Sequence, residues 1–163
     1  MILRIRKTRL AFVFIVSMIA LMPILTTPAV FATAPITVTA TVALVPTPIE
    51  QKIAGGNTIL VVTFADTYTG TFAGSASGRA NVIIHKGSLN VHHTDTFTGT
   101  VNGKSGTMVI SYEGQGEGVG LPLKGNWVIL SATGDLATLH GEGTFEGIAG
   151  VTITLTGNIH FAP

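Results

Sequence analysis

The chain has 163 residues, no cysteine and a formal net charge of +1, from nine Lys and Arg against eight Asp and Glu. The missing thiols exclude a disulfide framework, thiol catalysis, iron–sulfur clusters and cysteine zinc sites. Four of the basic side chains lie in the first nine residues, so the remainder carries five against all eight acids, a net of about −3. That balance argues against nucleic acid, whose binding is driven by neutralised phosphates, and against a basic membrane-surface patch.

Arg4, Arg6, Lys7 and Arg9 head an apolar run from Leu10 to Leu25 that Pro23 interrupts. Val30-Phe31-Ala32 then fits the small-residue pattern a signal peptidase accepts. A cut after Ala34 fits too, but leaves Pro35 directly behind it. The run is short of the roughly 20 apolar residues that a spanning anchor needs. Residues 1–32 therefore read as a cleaved secretory signal and residues 33–163 as one domain of about 130 residues, an ordinary single-domain size. The expected destination is extracytoplasmic, periplasm or cell exterior, with no membrane attachment after cleavage. Lipid anchoring is closed because it needs a cysteine at the cut.

Downstream no amphipathic helical period occurs. Ile36 to Leu44 alternates apolar residues with threonine, the period-two pattern of a strand with one buried face. Eight strands are expected, near 36–45, 57–73, 77–86, 88–101, 104–114, 121–131, 136–147 and 151–161. Pro46-Thr47-Pro48 opens the one longer connection between them. Gly55-Gly56, Lys86-Gly87, Asn102-Gly103, Gly134-Asp135 and Ala149-Gly150 punctuate the pattern. Asn102-Gly103 is the strongest hairpin signal, because the pair supplies the positive φ angles of a type I′ turn. Gly114 to Gly120 reads as a flexible strand end. Short connections pair successive strands antiparallel, and an eight-stranded meander closes into a barrel to remove its exposed edges. The fold class expected is all-β, an eight-stranded antiparallel barrel, with an immunoglobulin-like sandwich as the rival.

One phrase recurs: Tyr68-Thr69-Gly70-Thr71-Phe72, Phe97-Thr98-Gly99-Thr100-Val101 and Gly141-Glu142-Gly143-Thr144-Phe145. Parity puts Gly70, Gly99 and Gly143 on the inner face, where a missing side chain lets a strand bend. With Gly125-Asn126-Trp127 and Gly134-Asp135-Leu136, the stretch from Tyr68 to Phe145 resembles a family of small bacterial proteins of unknown function. The resemblance implies a barrel like that of allene oxide cyclase and assigns no catalytic residue. The secretory signal and a divergent first strand set this chain apart from the usual pattern.

The same parity sorts the polar residues. Asp66 and Tyr68 share a face with Leu60, Val62 and Phe64; His93 and Asp95 share one with Leu89, Val91 and Phe97. Asp66, Tyr68, His93 and Asp95 are therefore expected inside, with Tyr112 and Trp127 as further cavity candidates. A buried carboxylate is costly unless paired, and an imidazole oriented by a carboxylate can act as a general base. The competing reading is an internal hydrogen-bond network. His85, His92, His140 and His160 point outward, so no spacing assures the three or four converging ligands of a zinc site. Glu113 and Glu117 read as a solvated rim.

Two functions remain open on the sequence. One is a non-catalytic module that holds a small apolar ligand or acts through its surface, without a cofactor. The other is an isomerase or cyclase acting on an apolar substrate inside the barrel. Self-association into a homo-oligomer stays open. An open cavity near Asp66, His93 and Asp95 would favour ligand or catalysis; a barrel filled by Phe64, Tyr68, Phe72, Phe97, Met108, Trp127 and Phe145 would favour structure.

Overall fold

A computed structural model describes residues 34–163; the expected signal with its cut after Ala32 lies outside the described residues. The strands are β1 (Ile36–Ala43), β2 (Pro46–Ala54), β3 (Asn57–Gly70), β4 (Phe72–His85), β5 (Ser88–Val101), β6 (Lys104–Gly116), β7 (Pro122–Gly134), β8 (Leu139–Ile148) and β9 (Thr152–Phe161). They form one sheet in the order β1-β9-β8-β7-β6-β5-β4-β3-β2, every pair antiparallel, and β1 also pairs with β3. That last pairing closes the sheet on itself, and no helix occurs among the described residues.

The barrel has eight staves because β1 and β2 share one. β3 runs alongside β1 at its end, from Ala43↔Thr67 to Ala40↔Gly70, and alongside β2 at its beginning, from Pro46↔Phe64 to Ala54↔Asn57. The stave breaks at Leu44-Val45. There β1 leaves its pairing with β9, while β2 continues as the outer arm of a hairpin paired on one side only. Pro46-Thr47-Pro48 was expected to open a loop and instead opens a strand. Proline cannot complete a ladder, but on an edge its missing N–H costs no pairing. A bulge between Pro48 and Glu50 marks the irregularity.

Alternation fixes the other staves. β1 buries Val38, Ala40 and Val42, and β9 buries Ile153, Leu155, Ile159 and Phe161. The type I′ expectation holds in φ at Asn102-Gly103 (50° and 79°), and Lys86-Gly87, read only as a break between strands, takes the same pair of positive φ angles (48° and 88°). Two boundaries move. The break between the second and third expected strands sits at Thr71, not at residues 74–76, because Gly70 takes a φ of 99° and turns the chain there. Gly70 is consequently exposed and is not an inward-facing glycine. Gly99 and Gly143 do face in: a Cβ on Gly99 would run into the Phe97 ring, and one on Gly143 into Trp127. Leu136, expected in a strand, lies in the turn between β7 and β8 and is fully buried.

Packing divides the barrel along its axis. One half is filled by Phe72, Phe97, Met108, Trp127, Leu136 and Ile159, all with 1% exposure or less. Phe72 meets Trp127 edge-on at 5.8 Å, and Tyr68 meets Phe97 edge-on at 5.2 Å, favourable geometries for ring quadrupoles. The Trp127 indole N–H points at the carbonyls of Thr144 and Thr156, both at 3.1 Å. At the other end, beside the β2–β3 hairpin, the interior is hollow.

Candidate functional site

The hollow end holds a cavity of about 150 Å³. Its wall is almost wholly apolar: Leu60, Val62 and Phe64 from β3, Val82 from β4, Leu89 and Val91 from β5, with Leu123, Phe145 and Ile153 opposite. Pro46, Pro48 and Val119 line it and are themselves exposed, so the cavity communicates with solvent at the mouth. Two polar side chains reach the wall, His93 and Tyr112.

Beneath the cavity Asp66, His93 and Asp95 are the buried charged or ionisable groups among the polar core, with exposures of 1%, 6% and 1%. All three were expected inside from strand parity, and all three are. Asp66 comes from β3 and the other two from β5, with β4 between them. They meet because between Phe72 and Val82 β4 presents only small residues inward: Gly74, Ala76, Gly78 and Ala80. Gly78 is paired with Asp95, and Ala80 with His93. A Cβ on Gly78 would overlap both Asp95 Oδ1 and His93 Nε2. The glycine is thus the floor on which the cluster rests.

The imidazole of His93 is held between two rings, with Phe64 stacked at 4.5 Å and Tyr112 at 5.4 Å. Its Nε2 lies 2.8 Å from Asp95 Oδ1. The alignment is not that of a hydrogen bond, and both atoms lack a hydrogen-bond partner. The other Asp95 oxygen, Oδ2, accepts from the Tyr68 hydroxyl. Tyr68 has one proton and spends it there, so Tyr112, 2.7 Å from the Tyr68 oxygen, donates to Tyr68. Asp66 Oδ1 accepts the N–H of Val45 at 3.2 Å, at the break in the shared stave, and Oδ2 has no partner.

Burial dominates the electrostatics. It raises Asp66 from 3.8 to about 7; the nearby Asp95 charge adds to the rise, and His93 and the Val45 N–H oppose it. Burial also holds both tyrosines well above the ordinary phenol range, with the charges of Tyr112 and Asp95 adding for Tyr68 and that of Asp95 for Tyr112. The hydroxyls therefore stay protonated and act as donors.

Of the six candidates read from the sequence, the structure puts His93 and Tyr112 in the cavity wall and Asp66, Tyr68 and Asp95 in the layer below. Trp127 is not in the wall; it belongs to the packed half. Among the outward histidines, His92 pairs with Glu113 across β5 and β6, and His140 stacks on His160 at 5.5 Å. The sequence grouped Asp66, His93 and Asp95 at one cavity but did not show that β4 lets Asp66 reach the two residues of β5. A signal for it existed, since Gly74, Ala76, Gly78 and Ala80 form a small-residue stripe at strand period, and side chains of the flanking strands close over such a stripe.

The family described as protein of unknown function (DUF3224) matches residues 36–156. The chain belongs to the DUF3224 family. The match starts at the first residue of β1, so the first strand, which looked divergent, lies within the family and the whole cluster does too. A DUF3224 protein of unknown function from Shewanella oneidensis MR-1, solved as a crystal structure, is similar with a TM-score of 0.66 at 19% identity, covering 80% of this chain and all of that one. At that identity the likeness is one of fold. No curated protein matches this DUF3224 chain.

Proposed function

We propose that the barrel binds one small, mainly apolar ligand, seated in the mouth cavity with any polar group turned toward His93 and Tyr112. The observation that carries this reading is the cavity itself: an apolar chamber, open at one end, over a floor of buried polar groups. Ligand sites in β-barrels have this composition, mostly apolar with few oriented polar groups. An apolar cavity of this size class takes a compact molecule of about six to ten non-hydrogen atoms, and the open mouth leaves room for a longer tail. The resemblance to allene-oxide-cyclase barrels and an extracytoplasmic location after cleavage at Ala32 belong to the same proposal.

A fluorescent apolar probe tests it. Val62 is buried in the cavity wall, so Val62→Phe fills the chamber without adding polarity. The expected result is saturable probe binding by the wild type and a loss of at least tenfold in affinity for Val62→Phe, equivalent to about 1.4 kcal/mol. Equal affinity in the two proteins would contradict the reading.

A second reading, an isomerase or cyclase working in the same chamber, is favoured by one observation. Asp66 has its pKa near neutrality and sits within the His93–Asp95 cluster, which suits a group that exchanges protons. Turnover of a ligand found in the cavity, lost in Asp66→Asn while binding persists, is the outcome that would select this reading over simple binding.

A further inference from the structure

Three buried atoms at the centre of the barrel lack any hydrogen-bond partner: Asp66 Oδ2, His93 Nε2 and Asp95 Oδ1. Buried unpartnered polar atoms are rare because each forfeits its hydration. Here the three belong to side chains at least nine-tenths buried, and one such atom from each residue lies within 4.8 Å of the others. Each carboxylate has its second oxygen already held, Asp66 by the Val45 N–H and Asp95 by the Tyr68 hydroxyl. The held oxygens orient the carboxylates, and the free oxygens face a common point together with the imidazole nitrogen. Two carboxylates and an imidazole nitrogen crowded this closely, with His93 Nε2 already 2.8 Å from Asp95 Oδ1, need a shared positive charge, either protons or a cation.

We propose that Asp66, His93 and Asp95 bind one divalent first-row transition-metal ion, of the Zn²⁺ or Mn²⁺ class. The proposal goes beyond ligand binding in the mouth cavity and does not depend on it. Two carboxylates neutralise a 2+ charge. One nitrogen and two oxygens, without sulfur, suit ions of intermediate softness. Bonds of about 2.1 Å in a tetrahedral site place two donors of one ion ~3.4 Å apart, so side-chain movements on the order of an ångström close the set. Ca²⁺ fits worse, because it takes six to eight oxygens at longer distance. The supporting shell is of the kind metal sites use: a tyrosine on one carboxylate, a backbone amide on the other, and rings on both faces of the imidazole. Gly78 keeps the space clear. Three protein donors would leave at least one coordination position for water or a ligand.

The test uses full-length protein purified without chelator. Its metal content is measured by elemental mass spectrometry, and protein stripped with EDTA is titrated calorimetrically with Zn²⁺ and with Mn²⁺. The expected result is one ion per chain, with Zn²⁺ binding more tightly than Mn²⁺. Asp66→Asn and Asp95→Asn each weaken binding at least tenfold, with folding checked by circular dichroism. Glu113→Gln, which alters the exposed pair with His92, leaves affinity unchanged. If Asp95→Asn fails to fold, Asp66→Asn and Gly78→Ala serve in its place. The proposal is overturned if stripped wild type binds neither ion at millimolar concentration, which would mean a buried water alone fills the gap. It is equally overturned if binding survives the aspartate substitutions, which would place the ion on surface histidines. Removal of the ion by EDTA without loss of an apolar ligand separates this proposal from ligand binding.

Discussion

At the scale of single residues, Asp66 is the side chain whose burial has the clearest consequence. Its folded pKa is raised to about 7 from 3.8, so the native state of metal-free protein prefers the protonated acid. That contribution to stability is complete below pH about 4 and is lost as pH rises through about 7. Chelator-treated wild type is therefore expected to lose stability between pH 5 and pH 8, by an amount on the order of 3 kcal/mol. Asp66→Asn is expected to lack this slope in urea melts run across that range. An identical slope in both proteins would assign the pH dependence elsewhere. Tyr68 offers a second test. Removing its hydroxyl in Tyr68→Phe strips Asp95 Oδ2 of its donor and Tyr112 of its acceptor. The expected cost is about 2 kcal/mol, the penalty for a buried charged group left without a partner. A cost near zero in the same melts would mean that Asp95 is satisfied from another direction. Parity alone put Asp66, Tyr68, His93 and Asp95 inside, because a strand with one apolar face leaves no other side for residues of the same register. Their meeting point was not legible, since it depends on how β4 brings β3 and β5 together over Gly78.

At the scale of elements, the staves were readable wherever period two was clean and a turn had fixed chemistry. Asn102-Gly103 and Lys86-Gly87 are of that kind. The sequence misled where glycine or proline carried a different duty. Gly70 makes the turn that was expected at residues 74–76, while Gly74 and Gly78 lie in β4 and admit neighbouring side chains. Pro46 and Pro48 looked like a loop because proline is depleted in strands, yet β2 needs only one hydrogen-bonded edge. That one-sided pairing has a dynamic consequence. β2 is exposed over nearly its whole length, with Ile49 and Ile53 at 53% and 73%. It should open independently of the barrel, because segments with few buried contacts open at low free energy. In native-state hydrogen exchange, amides of β2 are expected to exchange at least tenfold faster than the central amides of β5. Equal protection would show that the hairpin arm is an integral stave. Since Pro46 and Pro48 line the cavity, the same motion widens its mouth.

At the scale of the whole molecule, the barrel is neither filled nor empty. Aromatic and aliphatic side chains pack one half, and the other half is a chamber over a buried polar cluster. The seven large inward groups that the sequence offered as a possible complete filling divide accordingly: Phe72, Phe97, Met108 and Trp127 pack the closed half, Tyr68 joins the cluster, and Phe64 and Phe145 line the chamber. Composition gave the volume of apolar side chains but not their distribution along the axis, which depends on the stagger of the strands. Native mass spectrometry of the protein purified from its own compartment tests the central claim most directly. The expected result is a complex heavier than the polypeptide, carrying an apolar ligand that organic extraction removes and EDTA does not, on a chain that begins at Thr33; any metal ion is the part that EDTA removes. A native mass equal to that of the bare chain, with no uptake of apolar probe on titration, would contradict it.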